Sequence, residues 1–76
     1  MREKIENLVK SICPDEDFSS SSDFVEDLLI DSLDVIRIVA ELEKKFSISI
    51  DGNDIVPENF SSFDSLESLV RSFSKD

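Results

Sequence analysis

Three stretches of this 76-residue chain set apolar side chains at the i, i+3, i+4, i+7 spacing of one helix face. Ile5, Leu8, Val9 and Ile12 make the first, with Cys13 on the side of Ile5 and Val9. Pro14 disfavours helical backbone at Cys13, so this helix is expected to end there. Val35, Ile38, Val39, Leu42 and Phe46 make the second, expected from Ser32 to Phe46. Asp31 suits its N-cap, where a carboxylate accepts an early backbone N–H, and Asp34 in the first turn is favoured by the helix dipole. Leu66, Leu69, Val70 and Phe73 make the third, expected to start near Ser62 or Asp64, with Asp64 and Glu67 at capping-box spacing.

The intervening segments carry little that needs burial. Asp15 to Asp17 and Ser19 to Ser22 read as a polar loop anchored by Phe18 and Phe24, and Leu28, Leu29 and Ile30 hold its far end to the domain. Phe46, Ile48 and Ile50 alternate, but no second strand pattern offers a partner, so an extended connection with inward apolar side chains is expected. Asp51-Gly52-Asn53-Asp54 is a turn, and Ile55, Val56 and Phe60 suit a short helix or turn around Pro57. The tail Ser74-Lys75-Asp76 is expected to fray. The sum is all-α, a small antiparallel-leaning bundle of three main helices plus one short helix, spanning 1–76 as a single domain. Its expected core is mainly Ile5, Leu8, Ile12, Val35, Ile38, Leu42, Phe46, Ile50, Leu66, Leu69, Val70 and Phe73.

Composition removes several function classes. The chain has no His and one Cys, so neither a His-based triad nor a zinc site can be assembled, and Cys13 has no internal disulfide partner. Cys13 is expected in the core, since no basic neighbour is evident to lower its pKa. One Gly cannot supply a phosphate-binding loop. No apolar run is long enough to span a membrane, and no charged-then-apolar leader opens the chain, which gives cytoplasm as the expected location. Eighteen acids against eight bases give a net charge of −10, which repels nucleic acid and favours basic protein surfaces, though solubility alone also accounts for it. Ser47, Ser49, Asp51, Gly52 and Glu58 fall at EF-hand-like positions, but the first of these is normally Asp, and Ile48 and Ile50 read as core; no metal is expected.

The second helix carries more apolar surface than one buried stripe requires. Leu33, Ile36 and Ala40 form a separate strip, either covered by another part of the domain or presented to a partner. Its position beside Ser32 favours a partner. Asp34, Arg37, Glu41, Lys44 and Lys45 form a charged face, in which Arg37–Glu41 and Glu41–Lys45 are expected i, i+4 pairs.

Ser32 stands at the start of that helix between Asp31 and Asp34. As a nucleophile it lacks a base, and the neighbouring acids would oppose a developing oxyanion, so enzymatic activity is not expected. As a site modified by another enzyme it is accessible, and a phosphate there would meet free backbone N–H groups. Asp31 and Asp34 suit contacts with a basic or metal-carrying modifying enzyme.

Asp31-Ser32-Leu33-Asp34, the helix Val35 to Phe46 and Pro57-Glu58-Asn59-Phe60 together resemble the phosphopantetheine-dependent acyl and peptidyl carrier proteins. The resemblance covers almost the whole chain, with Ser32 placed as in stand-alone carriers. Asp64-Ser65-Leu66-Glu67 repeats the short motif, but lies where the family has its last helix. The resemblance implies a non-catalytic phosphoprotein carrier. A phosphopantetheinyl transferase would take the arm from coenzyme A and join it to Ser32 through a phosphodiester. An acyl or aminoacyl group, placed on the arm as a thioester by a loading ligase or transferase, would be presented to downstream acyl-using enzymes. Partner contacts are expected at Asp31, Leu33, Asp34, Ile36, Arg37, Ala40 and Glu41, with the carrier a monomer, and the resemblance implies shelter for an apolar cargo between the helices. Fatty-acid-type carriers usually have Gly where Leu29 stands, and a more acidic second helix than one with Arg37, Lys44 and Lys45. Both departures, and the Pro-Glu-Asn-Phe segment, look more like D-alanyl carriers or stand-alone carriers of specialised pathways. The alternative from another class is an unmodified acidic helical adaptor that binds a basic protein.

Overall fold

The computed structural model describes residues 1–74, and Lys75 and Asp76 of the tail expected to fray lie outside them. Three helices form the frame: α1 (Arg2–Ile12), α2 (Ser32–Phe46) and α3 (Phe63–Phe73). Single turns of 3-10 helix cover Phe18–Ser20, Gly52–Asp54 and Pro57–Phe60. The last is the expected short element, tighter than an α-helix, with Pro57 in its first turn, where a missing N–H costs nothing. No strand occurs among the described residues, and the connection after Phe46 is extended, with Ile50 buried and Ile48 half-buried.

α1 packs against both α2 and α3, and the Pro57–Phe60 turn packs on α3. Ile5, Leu8 and Val9 of α1, Ile38, Val39 and Leu42 of α2, and Leu66, Leu69 and Val70 of α3 meet in the core. Ile12, Val35, Phe46 and Phe73, expected in the core, sit half-buried at its margin. The loop supplies what they do not. Phe18, Phe24, Ile30 and Phe60 are buried; Phe24 meets Phe18 and Phe63 edge-on at centroid distances of 4.8 and 4.9 Å, and Phe18 lies tilted to Phe63 at 5.8 Å. Such ring contacts contribute about 0.5–1.5 kcal/mol each beyond area burial.

Two expected polar contacts are replaced. α3 begins at an N-cap Ser62, whose Oγ accepts the Ser65 N–H at 3.0 Å, so the Asp64–Glu67 spacing does not form a capping box. Arg2 instead bridges Asp64 and Glu67, and Arg71 reaches Glu67 from the next turn at 2.9 Å. This ties α1 to α3 and holds the Glu67 carboxyl below its usual range, chiefly through Arg71 and then Arg2. Among the described residues these are the ion pairs within 4 Å; the expected Arg37–Glu41 and Glu41–Lys45 pairs are not formed.

Candidate functional site

α2 starts where its sequence says a helix should. Asp31 is the N-cap, its Oδ1 accepting the Asp34 N–H at 2.9 Å, while Asp34 Oδ2 accepts the Asp31 N–H at 3.2 Å. This reciprocal box fixes the first turn and leaves Ser32 at the first helical position, exposed. The early N–H groups of a helix have no intrahelical acceptor; Asp31 takes that of Asp34, and those of Ser32 and Leu33 remain available around the Ser32 hydroxyl.

The approach to Ser32 is held as firmly. The Phe24 carbonyl accepts the N–H groups of Leu29 and Ile30 at 2.9 and 3.3 Å, and the Phe24 N–H donates to the Ser61 carbonyl at 2.7 Å. Ile30 is buried immediately before the motif. Leu28, expected to help hold the loop, points the other way: it is 84% exposed and has φ 61°. The left-handed residue is therefore Leu28, one position before Leu29, where the resemblance leads one to look for Gly. For a leucine this conformation costs about 1–2 kcal/mol.

A cavity of about 470 Å³ opens beside Ser32. Val25, Leu28 and Ile30 from the loop, Val35 and Ile36 from α2, and Ile55, Val56 and Pro57 form its apolar walls, and Asp31 and Ser32 complete them. Apart from Met1, the large apolar side chains open to solvent are Leu28, Leu33, Ile36 and Ile55; three of them line this cavity and Leu33 adjoins Ser32. Exposed apolar surface gathered in one place marks an interaction site more often than scattered residues do. The second stripe of α2 is thus not covered by the domain: Leu33 is 65% and Ile36 63% exposed, and Ala40 is open beside them. Arg37 and Glu41 are exposed on the same helix, whereas Asp34 is half-buried by its capping role. A second cleft, of about 520 Å³, lies between α1, the loop and the start of α3; charged side chains and serines line it together with Phe18, Phe24 and Phe63, and it does not reach Ser32.

The repeated motif is placed differently. Ser65 lies within the first turn of α3, half-buried, and its Oγ accepts from the Ser62 hydroxyl at 3.0 Å. Asp64 does not cap that helix, so the resemblance between the two motifs ends at the letters. Cys13 is buried as expected. Burial first, and then the negative charge of Asp34, Glu16 and Asp31, push its thiol up to about 11, which suppresses the reactive thiolate. The segment considered for calcium contains a left-handed Ser47 ending α2, inward Ile48 and Ile50, and two separate 3-10 turns. No group of three or more His, Cys, Asp or Glu side chains arranged to hold a metal occurs among the described residues.

A family model described as a phosphopantetheine attachment site matches residues 3–72. The acyl carrier protein of Chlamydia muridarum is 43% identical over 56 residues, 66% of this chain and 73% of that protein. That of Sulfurovum sp. is 52% identical over 40 residues, 53% of this chain and 52% of the relative. That of Wolinella succinogenes is 54% identical over 35 residues, 46% of each chain, so the matched stretch spans about half the length of these two relatives. No solved structure matches.

Proposed function

The chain belongs to the phosphopantetheine-dependent carrier proteins, and from that premise we propose that Ser32 is the residue that carries the arm. A carrier of this family is not itself a catalyst: it holds acyl groups on a covalently attached phosphopantetheine installed by a phosphopantetheinyl transferase. The bound arm supplies a thiol on which the acyl group rides as a thioester. What this chain contributes is a presented hydroxyl, a rigid mount and a surface.

One observation supports Ser32 above all. Its hydroxyl is exposed at the first position of a helix whose cap is made by the neighbouring Asp31 and Asp34, whereas the hydroxyl of Ser65 is engaged inside α3. The residues present suit the group. Backbone N–H groups at the helix start favour a phosphodiester. The apolar cavity next to Ser32 offers room for part of an arm or its cargo. The carboxylates of Asp31 and Asp34 leave the site short of positive charge, so they are better suited to contacting a basic or metal-carrying transferase.

Asp31, Leu33, Asp34, Ile36, Arg37, Ala40 and Glu41 form the proposed contact surface for the transferase, for a ligase or transferase that loads cargo, and for the enzymes that use it. Leu29 in place of Gly and the cations Arg37, Lys44 and Lys45 favour a dedicated set of partners, of the D-alanyl, aminoacyl or specialised-pathway kind, over general fatty-acid synthesis. The protein is proposed to work as a cytoplasmic monomer, where coenzyme A and the transferase meet it. No helix among the described residues is long and apolar enough to cross a membrane.

The attachment site is tested by intact mass after incubation with coenzyme A, magnesium and a broad-specificity phosphopantetheinyl transferase. Wild type and Ser65→Ala gain one phosphopantetheine and Ser32→Ala gains none; gain by Ser32→Ala would remove the assignment. Dedicated partners are tested by comparing malonyl loading with amino-acid loading on the modified protein. Efficient malonyl transfer without aminoacylation would refute that preference.

A further inference from the structure

Beyond its first turn, α2 does not share the net charge of −10 that the chain as a whole carries. α2 holds three acids and three bases, so it is neutral and the whole excess of negative charge lies elsewhere in the chain. Two of its acids are also turned to internal work. Asp34 closes the cap through the Asp31 N–H, and Glu43 Oε2 accepts the Ile50 N–H at 2.8 Å, fastening the connection that follows the helix. Glu41 is the acid left exposed without a hydrogen-bond or ion-pair partner among the described residues of α2. Arg37, Lys44 and Lys45 are all exposed, and none has an acid within ion-pair distance among the described residues.

At 3.6 residues per turn, Leu33, Arg37, Ala40 and Lys44 fall within about 60° of one another, with Ile36 at their edge. The outward line of α2 is therefore apolar and basic, with the exposed Glu41 at the edge opposite Ile36, in a protein that is otherwise acidic. We propose that this face docks an acidic protein surface: an apolar groove that takes Leu33, Ile36 and Ala40, with carboxylates set against Arg37 and Lys44. From the helical rise those carboxylates would sit about 7.5 and 18 Å along the helix axis from the point that receives Ser32. The inference rests on the carrier reading and specifies its partner: an enzyme that loads or unloads this carrier meets it with acid where the overall charge suggests base. Long-range repulsion from the rest of the chain does not forbid the contact, because charges more than about 8 Å apart are largely screened at physiological salt.

Two amphipathic helical peptides with the same apolar face test this, one flanked by Glu and the other by Lys. Each is titrated into the 15N-labelled protein at about 0.15 M salt, where repulsion from distant acids is largely screened. The Glu peptide is expected to shift the amides of Leu33, Ile36, Arg37, Ala40 and Lys44, and to bind this face more tightly than the Lys peptide. The double variant Arg37→Glu, Lys44→Glu is expected to weaken the Glu peptide by about 2- to 30-fold, the range for two exposed ion pairs, and to reverse the preference. The proposal is overturned if the Lys peptide binds this face at least as tightly in wild type, or if the Glu peptide leaves it unshifted. Intact mass after transferase treatment of the same samples separates the two ideas. Modification at Ser32 with the wrong peptide order refutes the docking chemistry alone; absence of modification refutes the attachment site while the peptides still report on the face.

Discussion

Leu28 is held in a left-handed conformation with 84% of its surface exposed, which makes its replacement informative. The strain is about 1–2 kcal/mol for a residue with a Cβ, and glycine escapes it. Glycine also enlarges the freedom of the unfolded chain, which offsets about 0.5–1 kcal/mol of that gain. So exposed a side chain gives up few contacts when truncated, and Leu28→Gly is expected to stabilise the fold by about 0.5–1 kcal/mol. For a domain of this size 1 kcal/mol corresponds to about 4–8 °C, so the thermal midpoint should rise by roughly 2–8 °C. Leu28→Ala keeps the strain and should stay within about 0.5 kcal/mol of wild type. Ser47→Gly supplies a parallel case: Ser47 ends α2 at φ 54°, exposed, with the Ile48 N–H returning to the Glu43 carbonyl. It should gain a similar amount through the same cause. Urea and thermal unfolding of the three variants read these differences. If Leu28→Gly were no more stable than Leu28→Ala, the strain would not exist. Loading assays then say what the strained leucine is for: loss of cargo transfer in the more stable Leu28→Gly, with Ser47→Gly unaffected, is the pattern expected of a functional side chain at the cavity mouth.

Phe60→Ala should remove about 3–5 kcal/mol of a total of about 4–11 kcal/mol, because Phe60 is fully buried; thermal unfolding followed by circular dichroism should show a midpoint lower by at least about 12 °C. Glu67 has its carboxyl depressed by Arg71 and Arg2, so its stabilisation is in place above the ordinary value of 4.5 and is lost as pH falls through the lower folded value. Glu67→Gln should be less stable near neutrality and lose less between there and acid, as pH-dependent unfolding would show. With its thiol raised from 9.0 to about 11, Cys13 should alkylate about ten- to a hundredfold more slowly than an ordinary thiol near neutral pH, the smaller thiolate fraction being partly offset by a more nucleophilic thiolate, and reach full rate on unfolding.

The helices were legible because each repeats its apolar residues often enough to set a face, and α2 also announces its start through Asp31 and Asp34. The loop was harder. Leu28, Leu29 and Ile30 are three apolar residues in a row with no periodicity to say which turns inward, and the answer is set by where the Phe24 carbonyl draws the backbone. Phe63 and Phe60 sit among serines beside a proline turn, so nothing local marks Phe63 as the partner of Phe18 and Phe24, or Phe60 as core. Ion pairing followed the same division. The i, i+4 rule nominated Arg37–Glu41 on an open helix, where pairing gains little; the pairs that form join Arg2 to residues 62 and 65 positions away, and Arg71 to the same Glu67 one turn back on α3. Sequence spacing could identify the strip Leu33, Ile36, Ala40 but could not decide whether another element covered it; the packing of α1 against the opposite side of α2 leaves it open.

The central claim is that Ser32 carries the arm, and peptide-level mass spectrometry of the transferase-treated protein tests it most directly. Samples must be reduced first, since a mixed disulfide between Cys13 and coenzyme A would imitate the gain. Phosphopantetheine should be found on the fragment containing Ser32 and not on that containing Ser65. An arm on Ser65, or none after treatment of folded apo protein with several active transferases, would contradict the account.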